Sequence, residues 1–538
     1  MYNNYRLYSN SYYLFPSLAN SHHTYNALNG YPNPYWHYRP VYNQEGSTIY
    51  GGLNTFISTL NKRGYIVQEG KLNYVDILKL ASEGKVPSCF GNNANAPYAV
   101  LTLPPAPNQD PSEGQEPPIV YNPNNPNNYP ENINAIIPGA TFKLRPDEAI
   151  VLIGQTPPPA YYFSFRSYLG LAENKPLKDY SDAITTGNDQ TGFYHMLFAS
   201  LGDSLSNRGI WTEQTPQGSS RSPFNSSTII ISTADRYVNQ QVRDALGVAG
   251  YSSNIMNNDN IPLEMVNMGL EKGKDTFLFV MRAQLWAQQE IGDAYIQNVD
   301  KFFKVLRITP KIPFANRNPW PIPTLKIRET ITTEYQVLPN ARNNLDHLRN
   351  EIIQKYGGSE YDHVDLNTDK WVLEGFQGIM QDVNCLGDNN DALYLKTDNF
   401  QLKTDDDFVI IYGLNHEKTG KATLCQASFY GAELLNGVVG AFNSVEFPHS
   451  ASEFFPERYE NTNYYYVFKM ARKIDKDRVV VVPYSEGNPL GSAYGVDNYQ
   501  DAFIGFRIYQ DKETGVGPDL YDIIWDHAIL FTKKEKNL

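Results

Sequence analysis

The stretch that most constrains the fold is STIIISTADRYVNQQVRDALGVAG, residues 227–250. Its β-branched run at 228–231 predicts a buried strand, because branched side chains pack well on a pleated sheet. Four apolar residues then recur at helical spacing: Val238, Val242, Leu246 and Ala249. Ser232, with Asp235 three residues later, predicts a capping box at the helix start, and Gly250 is suited to end the helix. The stretch therefore predicts a βα unit.

Other segments extend this pattern and indicate the fold class. Residues 276–310 predict a second strand–helix–strand unit, and a helix over 345–356 is expected to end at Gly357. After residue 405 the apolar runs are short and separated by turn residues, which is typical of strands. We therefore predict an α/β or α+β fold with a mixed sheet, βα units in the middle of the chain and a β-rich C-terminal third.

Composition divides the chain into five segments. Residues 1–45 form a Tyr/Asn-rich N-terminal arm, residues 46–103 a small α/β segment, and residues 104–130 a Pro/Asn-rich linker or surface loop. Residues 131–400 are predicted to form an α/β core, and residues 401–538 a β-rich C-terminal region packed on that core. The linker has nine prolines in 27 positions, and a proline lacks the N–H donor that a central strand needs.

The N-terminal arm has the most unusual composition in the chain. It holds ten Tyr and eight Asn but only three charged residues, Arg6, Arg39 and Glu45. Tyrosine offers a large contact area at low rotamer cost, and its hydroxyl tolerates a wet partner. We therefore predict that residues 1–45 mediate contacts between copies of the protein, in a homo-oligomer or a lattice.

Charge and apolar runs narrow the function classes. The formal net charge of −13 argues against a nucleic-acid partner, because phosphate binding needs a basic face. No stretch approaches 18 consecutive apolar residues, so we expect no transmembrane segment. The first residues lack the apolar core and cleavage site of a signal peptide. We expect synthesis in the cytoplasm and, for an assembling protein, deposition in a spore or an inclusion.

The block GDSL at 202–205, in FASLGDSLSNRGIW, indicates a different chemistry. It resembles the nucleophile block of SGNH-type serine hydrolases, and this resemblance implies that Ser204 is a nucleophile. In that family, later blocks supply an oxyanion-hole Asn and an Asp-x-x-His that carries the base. Here Asn415 in FVIIYGLNH, and Asp526 with His527 in IIWDHAILF, follow in the same order. The last block departs from the family pattern, because Asp526 is directly adjacent to His527.

Patterns for other chemistries are incomplete. The three cysteines are far apart in sequence: Cys89, Cys385 and Cys425. An odd, scattered set gives neither a disulfide framework nor a metal knuckle. The oxygen-rich segment 387–408 lacks the spacing of a calcium loop, and we expect residues 405–407 to form a solvated turn. GLNHEKTGKA at 413–422 lacks the spacing of a phosphate loop. We expect no metal and no cofactor.

Three function classes stay open, and so does the question of whether the protein is an enzyme. The first is a structural or self-assembling protein of the spore-layer or intracellular crystal type, and the chain is similar in composition to Tyr-rich spore and parasporal inclusion proteins. The second is an SGNH-like serine hydrolase that uses Ser204. The third is a toxin-like protein whose exposed tyrosines bind glycans or membranes.

Overall fold

The computed structural model describes residues 48–94, 96–109, 119–121, 139–180, 183, 185–188, 192–219, 221–456, 459, 461–485 and 493–534. All of these residues belong to one unit, residues 43–538. The predicted role of the arm at 1–45 lies outside the described residues, as does most of the linker at 104–130.

Helices are short in most of the described chain. They are α1 Leu53–Lys62, α2 Ile77–Ser82, α3 Arg236–Val248, α4 Gln289–Gln297, α5 Val299–Phe302, α6 Glu334–Val337, α7 Ala341–Tyr356, α8 Gly375–Gln381 and α9 His416–Thr419. Strands provide most of the regular structure, and they are gathered in one large sheet and two smaller ones. The protein is therefore of the α+β class with mixed sheets, as predicted.

One sheet of 12 strands occupies the first part of the described chain. Its strands are β1 Tyr65–Val75, β2 Tyr98–Thr102, β3 Ile119–Tyr121, β4 Ala149–Gln155, β5 Ala160–Glu173, β6 Thr185–Asn188, β7 Gly192–Ser200, β8 Leu205–Ser206, β9 Ser227–Thr233, β10 Met256–Asn260, β11 Thr276–Trp286 and β12 Phe303–Pro310. They run in the order β10-β9-β4-β12-β1-β2-β11-β5-β7-β6-β3, and β8 pairs with β5. We call this the large sheet.

Strand β1 joins the two halves of the large sheet. Its residues 65–70 pair with β12, and its residues 71–75 pair with β2. The change of partner falls at Gly70, where a Cβ atom would lie 2.5 Å from the carbonyl oxygen of Thr102. Glycine is therefore required where the two halves meet. Apolar side chains from both halves, such as Leu152 and Phe279, pack into one core.

The predicted βα unit at 227–250 is confirmed. β9 leads into α3, and the chain returns through β10, which pairs with β9 in parallel. The predicted capping box is wrong in one residue. Asp235 caps α3, because its carboxylate accepts from the N–H groups of Tyr237 and Val238. Ser232 lies inside β9 instead, and its hydroxyl is 3.0 Å from the hydroxyl of Ser167.

Two five-stranded sheets form the C-terminal region. Their strands are β13 Tyr361–Leu366, β14 Thr368–Lys370, β15 Ala392–Thr397, β16 Phe408–Leu414, β17 Leu424–Gly431, β18 Asn436–Phe442, β19 Tyr465–Ala471, β20 Val479–Val481, β21 Ala502–Tyr509 and β22 His527–Lys533. One sheet has the order β13-β22-β16-β19-β20 and the other β14-β15-β21-β17-β18. This β-rich region begins at Tyr361, before the position 401 that composition indicated.

The three sheets are stacked through alternating side chains. Val409 and Ile411 of β16 enter the core between the two small sheets, and Ile410 faces the opposite way, toward α7. This alternation is the period of two that a strand imposes. On the outer face of β15 and β21, Tyr394 and Tyr509 pack against Tyr162 of the large sheet. We call this contact between the large sheet and the β14-β15-β21-β17-β18 sheet the seam.

An extended segment, residues 311–333, connects the two regions, and we call it the connector ribbon. It starts after β12 and ends at α6. The backbone N–H of Trp320 donates to the carbonyl of Ala234, and the N–H of Thr330 donates to Asp522. The ribbon is thus fixed to the large sheet at one end and to the C-terminal region at the other.

Candidate functional site

Gly202, Asp203 and Ser204 of the GDSL block lie in the turn between β7 and β8, and Leu205 begins β8. Gly202 has a φ of +143°, and a Cβ atom there would lie 2.9 Å from Nη2 of Arg166. Asp203 accepts a hydrogen bond from the backbone N–H of Lys326 at 2.9 Å and another from Nδ2 of Asn390 at 2.5 Å. The block therefore ties the large sheet to the connector ribbon and to the segment around residue 390.

Ser204, the predicted nucleophile, is buried and bonded to an amide. Its hydroxyl donates to Oδ1 of Asn389 at 3.0 Å, and the same oxygen accepts from the backbone N–H of Asp391. Within the described residues, no hydrogen bond joins Ser204 to a histidine. A serine hydroxyl becomes a nucleophile when a base takes its proton. The contacts of Ser204 are those of a structural cross-link.

The segment 388–391, with the sequence DNND, is buried next to the GDSL block. Asp388 accepts from the N–H and the hydroxyl of Ser200, both at 2.7 Å, and from the N–H of Gly375 at 2.8 Å. Asp391 accepts from the hydroxyl of Tyr162 at 3.0 Å. Burial raises the pKa of Asp388 to about 6 and that of Asp391 to about 7 in spite of these hydrogen bonds.

Carboxyl groups that titrate near neutral pH are suited to general acid–base chemistry. The space around Asp388 and Asp391 is too small for these carboxyl groups to contact a substrate. The cavity beside Asp388 and Asn389 has a volume of about 10 Å³, which is room for about one water molecule. The segment forms hydrogen bonds to β5 and β7 of the large sheet, to the GDSL block and to Gly375, so it holds the large sheet against the C-terminal region.

A second buried polar cluster contains Asp526, one of the predicted site residues. His416 lies between two carboxylates: Nδ1 is 2.7 Å from Oε1 of Glu334, and Nε2 is 3.1 Å from Oδ2 of Asp526. Burial opposes a charge on the ring, but the attraction of the two carboxylates outweighs it and raises the pKa of His416 to about 10. Both ring nitrogens then donate, as only the imidazolium can.

The other two predicted site residues have structural contacts. Oδ1 of Asn415 accepts from the N–H of Glu417 and caps α9, so this amide is not directed at Ser204. The ring of His527 stacks on Tyr412 with centroids 5.1 Å apart, and burial lowers the pKa of His527.

The structure brings Asp526 to His416 and not to His527. Side chains of adjacent residues in an extended chain point to opposite faces, which explains why the neighbours in sequence are separated. The predicted triad of Ser204, Asp526 and His527, with Asn415 as its oxyanion donor, is therefore not assembled by the described contacts.

Sequence reasoning missed Glu334 and misread the acidic segment that follows residue 387. Asp388 and Asp391 are buried in the seam, whereas the segment was judged only as a calcium loop. Asp407, predicted in a solvated turn, is also buried and accepts from the N–H groups of Lys403 and Lys533. A buried carboxylate and an exposed one look alike in sequence when the partner is a distant backbone N–H.

Three other features of the described residues bear on function. No group of three or more His, Cys, Asp or Glu side chains within them is placed to hold a metal ion. No helix of the described chain is both long and apolar enough to cross a membrane. A cavity of about 260 Å³ lies beside His449, Lys469 and Arg478, and Lys469 within it pairs with Asp475.

Comparisons with known proteins give no family. No protein-family model matches the chain, and no curated protein matches it. A solved structure of an uncharacterized protein from Burkholderia cenocepacia aligns with a TM-score of 0.34 and 8% sequence identity, over 90% of this chain and 87% of that one. A likeness at this level carries no argument about fold or function.

Proposed function

We propose that this chain is a structural protein that assembles with further copies of itself. The observation that carries the proposal is a row of exposed apolar side chains on and beside the connector ribbon. Ile327 and Ile331 of the ribbon are 73% and 87% exposed, and Tyr521, which precedes the Asp522 that binds Thr330, is 82% exposed. Exposed apolar side chains that lie close together often mark interaction surfaces on soluble proteins. We call these three side chains the ribbon patch.

Hydrogen bonds hold the ribbon patch in place. The N–H and the hydroxyl of Thr330 both donate to Oδ2 of Asp522 at 2.8 Å, and the N–H of Glu334 donates to the carbonyl of Asp522. Ile331 and Tyr521 each neighbour one of these bonded residues in sequence, so they lie close together. Because the ribbon is already ordered, little conformational entropy is lost when it binds.

Charge favours a second copy as the partner of the ribbon. The ribbon contains four basic residues and one acidic residue: Lys311, Arg317, Lys326, Arg328 and Glu329. The chain as a whole has a formal net charge of −13. A ribbon with a net positive charge is therefore attracted to another copy, whose net charge is negative, although Arg328 already pairs with Glu374 at 3.1 Å. Prolines 319, 321 and 323 lack N–H donors, which disfavours strand addition along that part of the ribbon.

The ribbon patch is tested by the triple variant Ile327→Ser, Ile331→Ser and Tyr521→Ser. We expect sedimentation velocity to show assemblies for the unaltered chain and the monomer alone for the variant. Ile474→Ser is the matched control, because Ile474 is 63% exposed in the turn between β19 and β20. Equal assembly of the triple variant and the control would refute the ribbon as an assembly surface.

The Tyr/Asn-rich arm is the second element of this proposal, and deposition in a spore or an inclusion stays a prediction. Deletion of residues 1–45 should leave a folded protein with weakened assembly, and unchanged assembly would remove the arm from the proposal. A fluorophosphonate probe tests the hydrolase alternative at the same time. Covalent labelling of Ser204 would show an activated nucleophile and would replace the structural proposal. Glycan or membrane binding also stays a prediction.

A further inference from the structure

The cavity beside His449, Lys469 and Arg478 is large enough for a small organic molecule. It lies between the end of α7, strand β19 and the residues that follow His449. Its volume of about 260 Å³ equals that of about nine water molecules in the liquid. The cavity beside Asp388, by contrast, has a volume of about 10 Å³. The larger cavity therefore has the space to hold a ligand.

Arg478 brings a positive charge to this cavity. It is exposed and directly precedes β20, and its Nη1 donates to the carbonyl of Pro448 at 2.8 Å. Within the described residues, its guanidinium forms no ion pair. A planar guanidinium can bind both oxygens of a carboxylate through two parallel N–H groups. The side chains of His449 and Ser452 line the same cavity and can donate as well. Arg478 is therefore suited to bind a carboxylate.

Two carboxylates in the lining of the cavity share one cation. Nζ of Lys355 lies 2.9 Å from Oε2 of Glu453 and 2.8 Å from Oδ1 of Asp477. Burial opposes the charge of Lys355, but its hydrogen bonds to Asp477, Tyr356 and Glu453 outweigh burial and raise its pKa. One ammonium thus balances two carboxylates, and one net negative charge remains. The second oxygen of each carboxylate can accept from another ammonium group.

The remaining charged pair at the cavity adds no net charge. Lys469 is 8% exposed and pairs with Asp475, and its Nζ also lies 3.9 Å from the ring centroid of Phe408. The lining therefore has one positive charge in excess, at Arg478, and one negative charge in excess, at the carboxylates beside Lys355. Such a lining is complementary to a ligand that carries one charge of each sign. A phosphate dianion would be repelled by the carboxylates.

Apolar side chains form another part of the lining. Phe454 and Val467 are buried, and they pack in one cluster with Tyr356. A ligand with an apolar group gains free energy when it displaces water from such side chains. A free α-amino acid carries a carboxylate, an ammonium group and a side chain on one carbon atom. Leucine is of a suitable size, because the number of its non-hydrogen atoms is comparable to the number of water molecules that the cavity can hold.

We propose that this cavity binds a free α-amino acid with an apolar side chain. Arg478 binds the carboxylate, and Glu453 and Asp477 bind the ammonium group. The apolar side chain of the ligand lies against Phe454 and Val467. No residue of the ribbon patch lines the cavity, so this inference does not depend on the proposed assembly.

The proposal is tested with radiolabelled L-leucine in equilibrium dialysis against the full chain. We expect saturable binding of one leucine per chain. Isocaproate lacks the ammonium group and isoamylamine lacks the carboxylate, so neither should displace the label at concentrations at which unlabelled leucine does. Leucine should also raise the melting temperature, by on the order of 1–2 °C at tenfold the dissociation constant.

Variants assign the binding to this cavity. Arg478→Gln removes the partner of the carboxylate and should weaken leucine binding about tenfold, and Glu453→Gln should weaken it by a smaller factor because Asp477 remains. Arg63→Gln is the matched control, because Arg63 is also exposed and its Nη1 donates to the carbonyl of Gln241 at 3.1 Å. The control should bind leucine as the unaltered protein does. All three substitutions change exposed side chains, so each variant should fold.

Three outcomes would overturn the amino-acid site. The first is the absence of saturable leucine binding to the unaltered protein. The second is displacement of the label by isocaproate or isoamylamine as effectively as by leucine, because the cavity would then not recognise both charges. The third is leucine binding by Arg478→Gln that is as tight as binding by Arg63→Gln, because the ligand would then lie elsewhere on the protein.

Discussion

Two buried histidines, one in each region of the protein, hold opposite charge states. His195 on β7 contacts Asp382, with Nε2 3.0 Å from Oδ1. Burial lowers the pKa of His195 and outweighs the attraction of that single carboxylate. His416 in the C-terminal region contacts two carboxylates, and its pKa rises to about 10. The comparison shows that the second carboxylate decides whether a buried ring is charged.

The carboxylate beside His195 is itself shared with cations. Lys178 lies 2.9 Å from Oδ2 of Asp382, and Lys175 lies 3.2 Å from Oδ1. These lysines provide the positive charge that Asp382 needs, so the histidine can remain neutral. In the other cluster, the carboxylates of Glu334 and Asp526 have His416 between them as their common cation.

The largest effect is expected when the charge at His416 is removed. His416→Gln leaves Glu334 and Asp526 buried and facing each other without a cation between them. We expect a loss of about 3–5 kcal/mol in the free energy of unfolding, measured by urea denaturation at pH 7. His363→Gln, on the exposed face of β13, is the control and should change stability little.

The pH dependence of the stability difference between the unaltered protein and His416→Gln tests whether the charge of His416 causes that difference. A group whose pKa is raised in the folded state stabilises it fully below the unfolded value near 6.5. That stabilisation is lost as the pH rises through about 10. The gap between the unaltered protein and His416→Gln should therefore narrow as the pH rises from about 6.5 and reach its minimum above about pH 10. A gap that stays constant would mean that the ring acts through packing and not through its charge.

A smaller effect is expected at His195. His195→Gln replaces a neutral ring with a neutral amide, and Asp382 keeps its lysines. The loss should be about 1–2 kcal/mol, from a changed hydrogen bond and lost stacking on Tyr180, whose ring centroid is 4.4 Å away. The same urea titration measures it. A loss as large as that of His416→Gln would contradict the neutral state assigned to His195.

Local sequence predicted the elements that carry Asn415 and His527, but it did not predict which side chains contact Asp526. The strand that begins at His527 could be recognised from its apolar run, and so could the turn that carries Asn415. The partners of Asp526 could not be recognised, because His416 lies 110 residues away in the chain and Glu334 lies 82 residues from His416. Such pairs arise only when the connector ribbon brings α6 to the C-terminal sheets.

The GDSL block also shows that contacts between residues distant in sequence cannot be predicted from a local motif. Local sequence marked Ser204 as unusual, and the structure does make it a buried, hydrogen-bonded residue. Its partner Asn389 is 185 residues away, in the oxygen-rich segment 387–408 that was considered only as a candidate calcium loop. A motif of four residues describes a turn, whereas a catalytic role depends on what the rest of the chain places against that turn.

The smallest expected effect is a change in how stability depends on acidic pH, and it distinguishes His195 from His416. A histidine whose folded pKa is lowered binds a proton more readily when unfolded, so the protein loses stability as the pH falls below about 6.5. His195→Gln should remove this loss, by under about 1 kcal/mol between pH 6.5 and 5.5. His416 is protonated in both states over this range below 6.5, so His416→Gln should keep the slope. Thermal unfolding at matched ionic strength measures both slopes. If His195→Gln kept the acid slope of the unaltered protein, His195 would be charged in the fold, and the difference between the two clusters would disappear.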